Sequence, residues 1–356
     1  GLNDEQAYSF IQTYSLKRGL KKFGKKGKQA VNKEMLQLHN RKTFAPIHVH
    51  KLSKREKARA MESLIFLAEK RDRSVKARTC ANGSTQRTYI SREEAASPTA
   101  ATESVVITGV VEAKQQRHVI TLDIPNAFVQ TPVPQGKDKI IMKIRGILVD
   151  ILMELCPGVY DEYVTYEQGQ KILYVEMLMA LYGMLTSAIL FYKKFRKDIE
   201  AIGFEVNPYD ICVANRQVNG KQHTVTWHVD DVKSSHVNPQ VNEEFYKWCE
   251  STYGSDVNGH VKVNKGEKHD YLGMILDYSK QGSLKIDMRY YIKDMIEEFP
   301  YKIKKSKTPC RQLCAQHETT VPRKTGNRAW TRVALEKRGD PKTTISELRQ
   351  NELKPV

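Results

Sequence analysis

Two acidic stations about a hundred residues apart constrain this chain more than any other feature. Asp123 closes an apolar run in Leu122-Asp123-Ile124-Pro125-Asn126-Ala127-Phe128, and Asp230-Asp231 lies between Trp227-His228-Val229 and Val232. Each carboxylate interrupts a stretch otherwise composed for a buried strand. Such a group is costly to hold there unless a cation neutralises it. A divalent metal carrying nucleotide phosphates is the natural candidate.

The charge balance points the same way. The net charge of +17 is uneven: residues 1–60 hold 15 Lys and Arg against 4 Asp and Glu, and residues 301–356 hold 14 against 5. The centre is therefore slightly acidic, 29 against 32. Basic ends on a near-neutral centre suit a polyanion gripped through its phosphates and released by salt, unless they are simply solvated tails.

Cys80, Cys156, Cys212, Cys249, Cys310 and Cys314 show no paired spacing, which favours a reduced, intracellular setting over a disulfide framework. Cys310, Cys314 and His317 resemble part of a metal knuckle but lack a fourth ligand, so coincidence is the better reading. The chain starts at Gly1 with residues too polar for a signal peptide, and is expected to be a piece of a longer product. The apolar stretch 172–192 imitates a membrane span. Glu176, Gly183, Thr186 and Ser187 within it favour a buried strand, a turn and a helix, so no membrane association is expected.

Along the chain, a helix is predicted over 29–39, with Val31, Met35 and Leu38 on one side. Ser53 with Glu56 forms a capping box that opens a helix through about Met61. Strands are predicted at 64–67 and 74–79. A second box, Ser91 with Glu94, precedes Ser97-Pro98-Thr99, and a helix over 103–113 leads into a strand over 119–124 that carries Asp123. Ala188, Phe191, Phe195, Ile199 and Ile202 recur at helical spacing, and Gly203 stops that helix.

The clearest local signal follows. Strands over 211–218 and 223–229 flank Asn219-Gly220, the residue pair of a type I′ hairpin. Asp230-Asp231 then sits at a second bend before a strand over 232–237. Asn238-Pro239 opens a helix to about Tyr253. Strands over 270–278 and 283–288 and a helix over 289–299 complete an α+β pattern around an antiparallel meander. From Lys302 the patterning fades into a basic, loosely ordered tail.

An Asp-Asp pair alone is weak evidence, because ordinary turns contain such pairs. Placed at a tight bend, however, it aims at least one carboxylate toward a neighbouring strand, such as the one bearing Asp123. Carboxylates gathered there suit two Mg²⁺ ions, one activating a hydroxyl and one steadying a leaving pyrophosphate.

The order of several motifs resembles reverse transcriptases, and within them the copia-type retrotransposon branch. They are Lys76-Ala77-Arg78, Ala96-Ser97-Pro98-Thr99, Asp123 with Ala127-Phe128, Ala180-Leu181-Tyr182-Gly183, His228-Val229-Asp230-Asp231, Tyr271-Leu272-Gly273-Met274 and Tyr290-Tyr291-Ile292. The similarity spans about residues 30–305. It implies a polymerase palm with a central antiparallel sheet backed by helices, a fingers subdomain and a short or partial thumb. The corresponding boundaries are a basic N-terminal segment at 1–45, fingers at 46–118, palm at 119–288, a helix toward the thumb at 289–308 and a basic tail at 309–356.

By the same resemblance, Asp123, Asp230 and Asp231 hold two Mg²⁺ ions, with Mn²⁺ as a substitute and Asp231 in the lesser role. Phe128 closes the sugar pocket against a ribose 2′-hydroxyl, or else is a core ring. Lys76 and Arg78, two apart on a strand and so on one face, grip the incoming triphosphate, or else guard an exposed sheet edge. Tyr271, Leu272 and Gly273 match the hairpin that positions the primer end, although plain hairpin residues would look alike. The implied partners are an RNA template, a DNA or RNA primer and deoxynucleoside triphosphates, in a cytoplasmic particle or the nucleus.

The departures are specific. His228 stands where the family more often has Tyr or Phe, and reads as a packed, hydrogen-bonded residue. The Thr186 region lacks the Gln and Pro common after Leu-Tyr-Gly. The resemblance stops after Thr308-Pro309, with no spaced acidic sites of a ribonuclease H domain, which suggests a truncated or frame-disrupted element. The rival expectation is a decayed retroelement fragment that binds nucleic acid without turnover.

Overall fold

The computed structural model describes residues 13–70, 72–136 and 139–299. Expectations for the tail, including Cys310, Cys314 and His317, lie outside the described residues. The chain divides into two compact units, 1–297 and 298–356, and the architecture below belongs to the first.

The α+β class holds. A six-stranded, wholly antiparallel sheet runs in the order Lys262–Asn264, His118–Asp123, Asp231–His236, Lys221–His228, Val213–Val218 and Glu205–Val206. Alternation decides its two faces. Ile120, Leu122, Val225, Trp227 and Val232 point one way, into a core with Phe191, Phe195 and Ile199 of helix Ser187–Ala201 and Phe245, Cys249 and Tyr253 of helix Pro239–Tyr253. The opposite face carries helix Thr102–Lys114. Val105 of that helix packs with Tyr271, Met274 and Leu276 of a separate three-stranded sheet, Lys268–Tyr271, Met274–Asp277 and Lys285–Asp287.

A seven-stranded sheet lies N-terminal to this. Strand Met61–Glu69 pairs antiparallel with Val75–Ala81 and parallel with Ile141–Arg145, which continues to Gln170–Met177. Helix Leu16–Asn40 packs on it through Val31, Met35 and Leu38, the three residues the sequence put on one side. That helix begins well before residue 29, since its Lys-rich first half carries few apolar positions to betray it, and Gly24 (φ 52°) kinks it.

Local signals fared well where backbone chemistry was explicit. The Ser53–Glu56 box forms in full, although its helix stops at Arg59 rather than Met61. Ala60 is already extended there, and Met61 begins a strand in the core. The Ser91–Glu94 box also forms, on a helix of only four residues. Asn219 and Gly220 take φ of 52° and 69° between the paired Val218 and Lys221, as a type I′ turn requires.

The predicted strand over 270–278 is broken. Leu272 (φ 54°) and Gly273 (φ 76°) turn the chain, so that Tyr271 pairs with Met274. Leucine carries no turn signal, which is why the pattern reads as continuous. The stretch 172–192 is a strand, a turn and a helix start, and among the described residues no helix is long and apolar enough to cross a membrane.

Candidate active site

The antiparallel register brings the two acidic stations together. Asp231 is the direct cross-strand partner of Asp123, and the Ile124 amide donates to the Asp230 carbonyl at 3.0 Å. Val229 and Asp230 form a two-residue turn between the paired His228 and Asp231, with Val229 at φ +58°. A β-branched residue there is strained, and such strain persists only where the surroundings hold it. The turn keeps Asp230 at the lip of the sheet, while Asp231 enters the strand beside Asp123.

The electrostatics fit crowded carboxylates. Burial pushes the Asp230 carboxyl above its ordinary range, and the Asp123 charge adds to it. Asp231 is exposed to solvent. Burial is the leading cause that raises it to about 6, followed by Asp230, Asp123 and Asp270. Hard carboxylate oxygens are the donor set a hard divalent cation takes. As placed, though, no three His, Cys, Asp or Glu side chains among the described residues are gathered closely enough to hold one ion. On the other side of Asp123, Lys262, its partner on the outer strand, reaches Oδ2 with Nζ at 2.6 Å. The donor set is one a hard cation would take, and in this structure the cation that meets Asp123 is the Lys262 ammonium.

Lys76 and Arg78 do share a face. Both are exposed between the buried Ala77, Thr79 and Ala81, on a strand that pairs on one side only, to Met61–Glu69. Burial lowers the Lys76 pKa, and Arg78 and more weakly Lys262 act in the same direction.

The link to the carboxylates is Tyr182. Arg78 lies over its ring, Cζ 4.6 Å from the centroid, and Phe128 packs against it at 4.8 Å. Burial raises the Tyr182 hydroxyl, with further contributions from Asp230 and Asp123. Phe128 is half-buried and touches the cores of both larger sheets, so it both packs and borders the site. Gly183 (φ +87°) makes the junction possible: a Cβ there would lie 2.1 Å from the Ala81 carbonyl oxygen, and the Ala81 amide donates to the Tyr182 carbonyl at 2.7 Å.

The predicted primer-positioning residues separate. Tyr271 is buried and its hydroxyl donates to the Thr226 carbonyl at 3.3 Å, beneath the doublet hairpin. Leu272 and Gly273 form the turn. His228 is packed as expected, but its Nδ1 is buried without a partner rather than hydrogen-bonded, and burial lowers its pKa. Thr186 likewise buries an unpartnered hydroxyl.

Sequence reasoning missed Lys262 altogether and quoted Tyr182 without giving it a role. The Lys262 strand is three residues long and too short for periodicity to register. An aromatic Tyr182 after Ala180-Leu181 reads as core. A cavity of about 420 Å³ lies at the His118 end of the same sheet face, lined by Glu112, Arg117, His118, His269 and Tyr278; none of the expected site residues borders it.

No protein-family model and no curated protein matches the sequence. Among solved structures, the chain is similar to a foamy viral protease-reverse transcriptase in complex with double-stranded DNA. Identity is 14%, the TM-score is 0.41, and the match covers 78% of this chain and 38% of that one. It is also similar to telomerase from Candida albicans in complex with a fragment of telomeric RNA, at 10% identity and a TM-score of 0.36, over 71% of this chain and 49% of that one. The chain thus spans less than half the length of either. Both likenesses are distant, and neither assigns a residue or an activity to this chain.

Proposed function

We propose that this chain is the RNA-directed DNA polymerase domain of a copia-type retrotransposon, with residues 46–118 as fingers and 119–288 as palm. The observation that carries the reading is the register: Asp123 opposite Asp231, with Asp230 at the adjoining turn. Three acids from two stations distant in sequence converge where Arg78 and Tyr182 also arrive.

Asp123, Asp230 and Asp231 are the residues that would hold two Mg²⁺ or Mn²⁺ ions. When bound, such ions supply an acidified primer 3′-hydroxyl and neutralise charge on the departing pyrophosphate. The chain's own residues do the positioning. Lys76 and Arg78 hold the triphosphate of a deoxynucleotide, with the Arg fork able to take two oxygens and steadied by the Tyr182 ring. Phe128, fixed against Tyr182, walls the sugar side and excludes a 2′-hydroxyl. The Leu272-Gly273 turn, underpinned by Tyr271, lets a primer backbone approach. RNA template and DNA or RNA primer are held through phosphates. Positioning and charge complementarity carry such a reaction without a protein nucleophile.

A DNA primer extended on an RNA template with Mg²⁺ or Mn²⁺ tests this. Asp123→Ala and Asp230→Ala each reduce incorporation by at least about a hundredfold, the scale of losing a preorganised electrostatic group. Salt-sensitive binding with no incorporation by the unmodified chain would instead favour a second reading, a retroelement remnant that binds nucleic acid without turnover. The engagement of Asp123 by Lys262 is the observation on its side.

A further inference from the structure

Three side chains lie in register across three strands on one face: Lys262, Asp123 and Asp231. Direct cross-strand neighbours stand about 5 Å apart at Cβ. The Asp123 carboxylate can therefore turn outward to Lys262 or inward to the doublet, and not both. Without a divalent cation, outward is favoured: the ammonium attracts it, and two like charges repel it from within. It is turned outward here, at 2.6 Å.

The ion pair is built to be exchanged. The Lys262 side chain is 81% exposed and that of Asp123 44%. No second carboxylate holds Lys262 in place among the described ion pairs. Exposed pairs of this kind are weak, and a divalent cation placed among three carboxylates outcompetes a single ammonium. Once displaced, Lys262 stays beside the carboxylates on the outer strand, and its charge already acts weakly on Lys76. Cations beside a cluster of acids suit a substrate that brings its own anion.

Resting on the polymerase reading, we propose that Lys262 is the resident counter-ion of Asp123, that divalent cation displaces it, and that the freed ammonium then joins Lys76 and Arg78 in holding the nucleoside triphosphate. It holds Asp123 out of line until substrate and metal arrive together, coupling the binding of the two.

Mn²⁺ binding followed by electron paramagnetic resonance on the full chain tests the exchange without any turnover. Lys262→Gln should bind Mn²⁺ about two- to fivefold more tightly in the absence of nucleotide, the scale of releasing an exposed ion pair. With Mn²⁺ present, its affinity for a non-hydrolysable deoxynucleotide analogue should fall several-fold, and Lys262→Arg should restore it. Because Lys262 is largely exposed, the variants should melt as the parent chain does. Unchanged or weaker Mn²⁺ binding by Lys262→Gln, or unchanged affinity for the analogue, overturns the proposal while leaving the metal site standing. Mn²⁺ binding indifferent to Asp123→Asn overturns the metal site itself, and the exchange with it.

Discussion

One sheet face carries two lysine–carboxylate pairs with opposite fates. Lys233 lies two residue pairs in from the acidic stations, opposite Thr121. Its side chain is 0% exposed and meets Glu112, 2% exposed, at 2.6 Å. Thr108 also takes a hydrogen bond from Lys233 at 3.0 Å, and Tyr278 donates its hydroxyl to the other Glu112 oxygen at 2.5 Å. Lys262 and Asp123 share the same separation, but stand in solvent with no such supports. The chemistry is identical; the dielectric and the satisfaction of the remaining donors differ. Enclosure turns the inner pair into a fixed strut joining helix to sheet. Exposure leaves the outer one free to trade partners.

The sharpest way to break this contrast is to remove one partner of each pair. Glu112→Ala strands a buried ammonium and should cost about 3–5 kcal/mol in urea unfolding. Lys262→Gln should shift the same measurement by less than about 1 kcal/mol. If the two variants cost alike, the contrast drawn from exposure is wrong. The double replacement Glu112→Leu with Lys233→Met sharpens the point. It removes both charges together and should recover most of the loss, because no ion remains unpaired.

Acid provides the next test, with two groups of opposite sign. Burial depresses His223 from its ordinary 6.5 to about 3, and His269 to about 4. A depressed histidine contributes stability that is fully present above pH 6.5 and lost as pH falls toward the folded value. The urea midpoint should therefore drop between pH 6.5 and 4, and His223→Gln should flatten that slope. A slope untouched by this change would place the acid sensitivity elsewhere.

Asp231 runs the other way. Its carboxyl is raised from 3.8 to about 6, chiefly by burial, so the folded chain binds that proton more tightly than the unfolded chain. Its ionised form therefore weighs against folding above about pH 6, and that effect vanishes below 3.8. Asp231→Asn should raise the midpoint slightly at pH 7.5, with a gain that shrinks on acidification. Since Asp231 is open to solvent, this is the smallest effect expected. A loss of stability at pH 7.5 would contradict it.

Much of the fold was legible because its signals are local. Asn219-Gly220 dictates its turn through two positive φ angles, Ser53 with Glu56 closes its own capping box, and Gly203 (φ 87°) follows the helix it ends. The candidate site was legible in its three carboxylates, because a charge inside an apolar strand stands out. Tyr182 did not stand out, since an aromatic after an apolar pair looks like core until Arg78 is found over it. Leu272 hid a turn because nothing in a leucine side chain announces a positive φ.

Sequence alone determined where the unneutralised acids fall, which segments alternate and where helices begin. Only the tertiary structure decided which cation each acid meets. Glu112 and Lys233 are 121 residues apart, and Asp123 and Lys262 are 139. Register places each pair side by side, and the depth of burial sets how firmly it is held. Neither quantity exists until the strands have paired, because a short polar strand such as Lys262–Asn264 acquires its identity from its neighbour rather than from its own pattern.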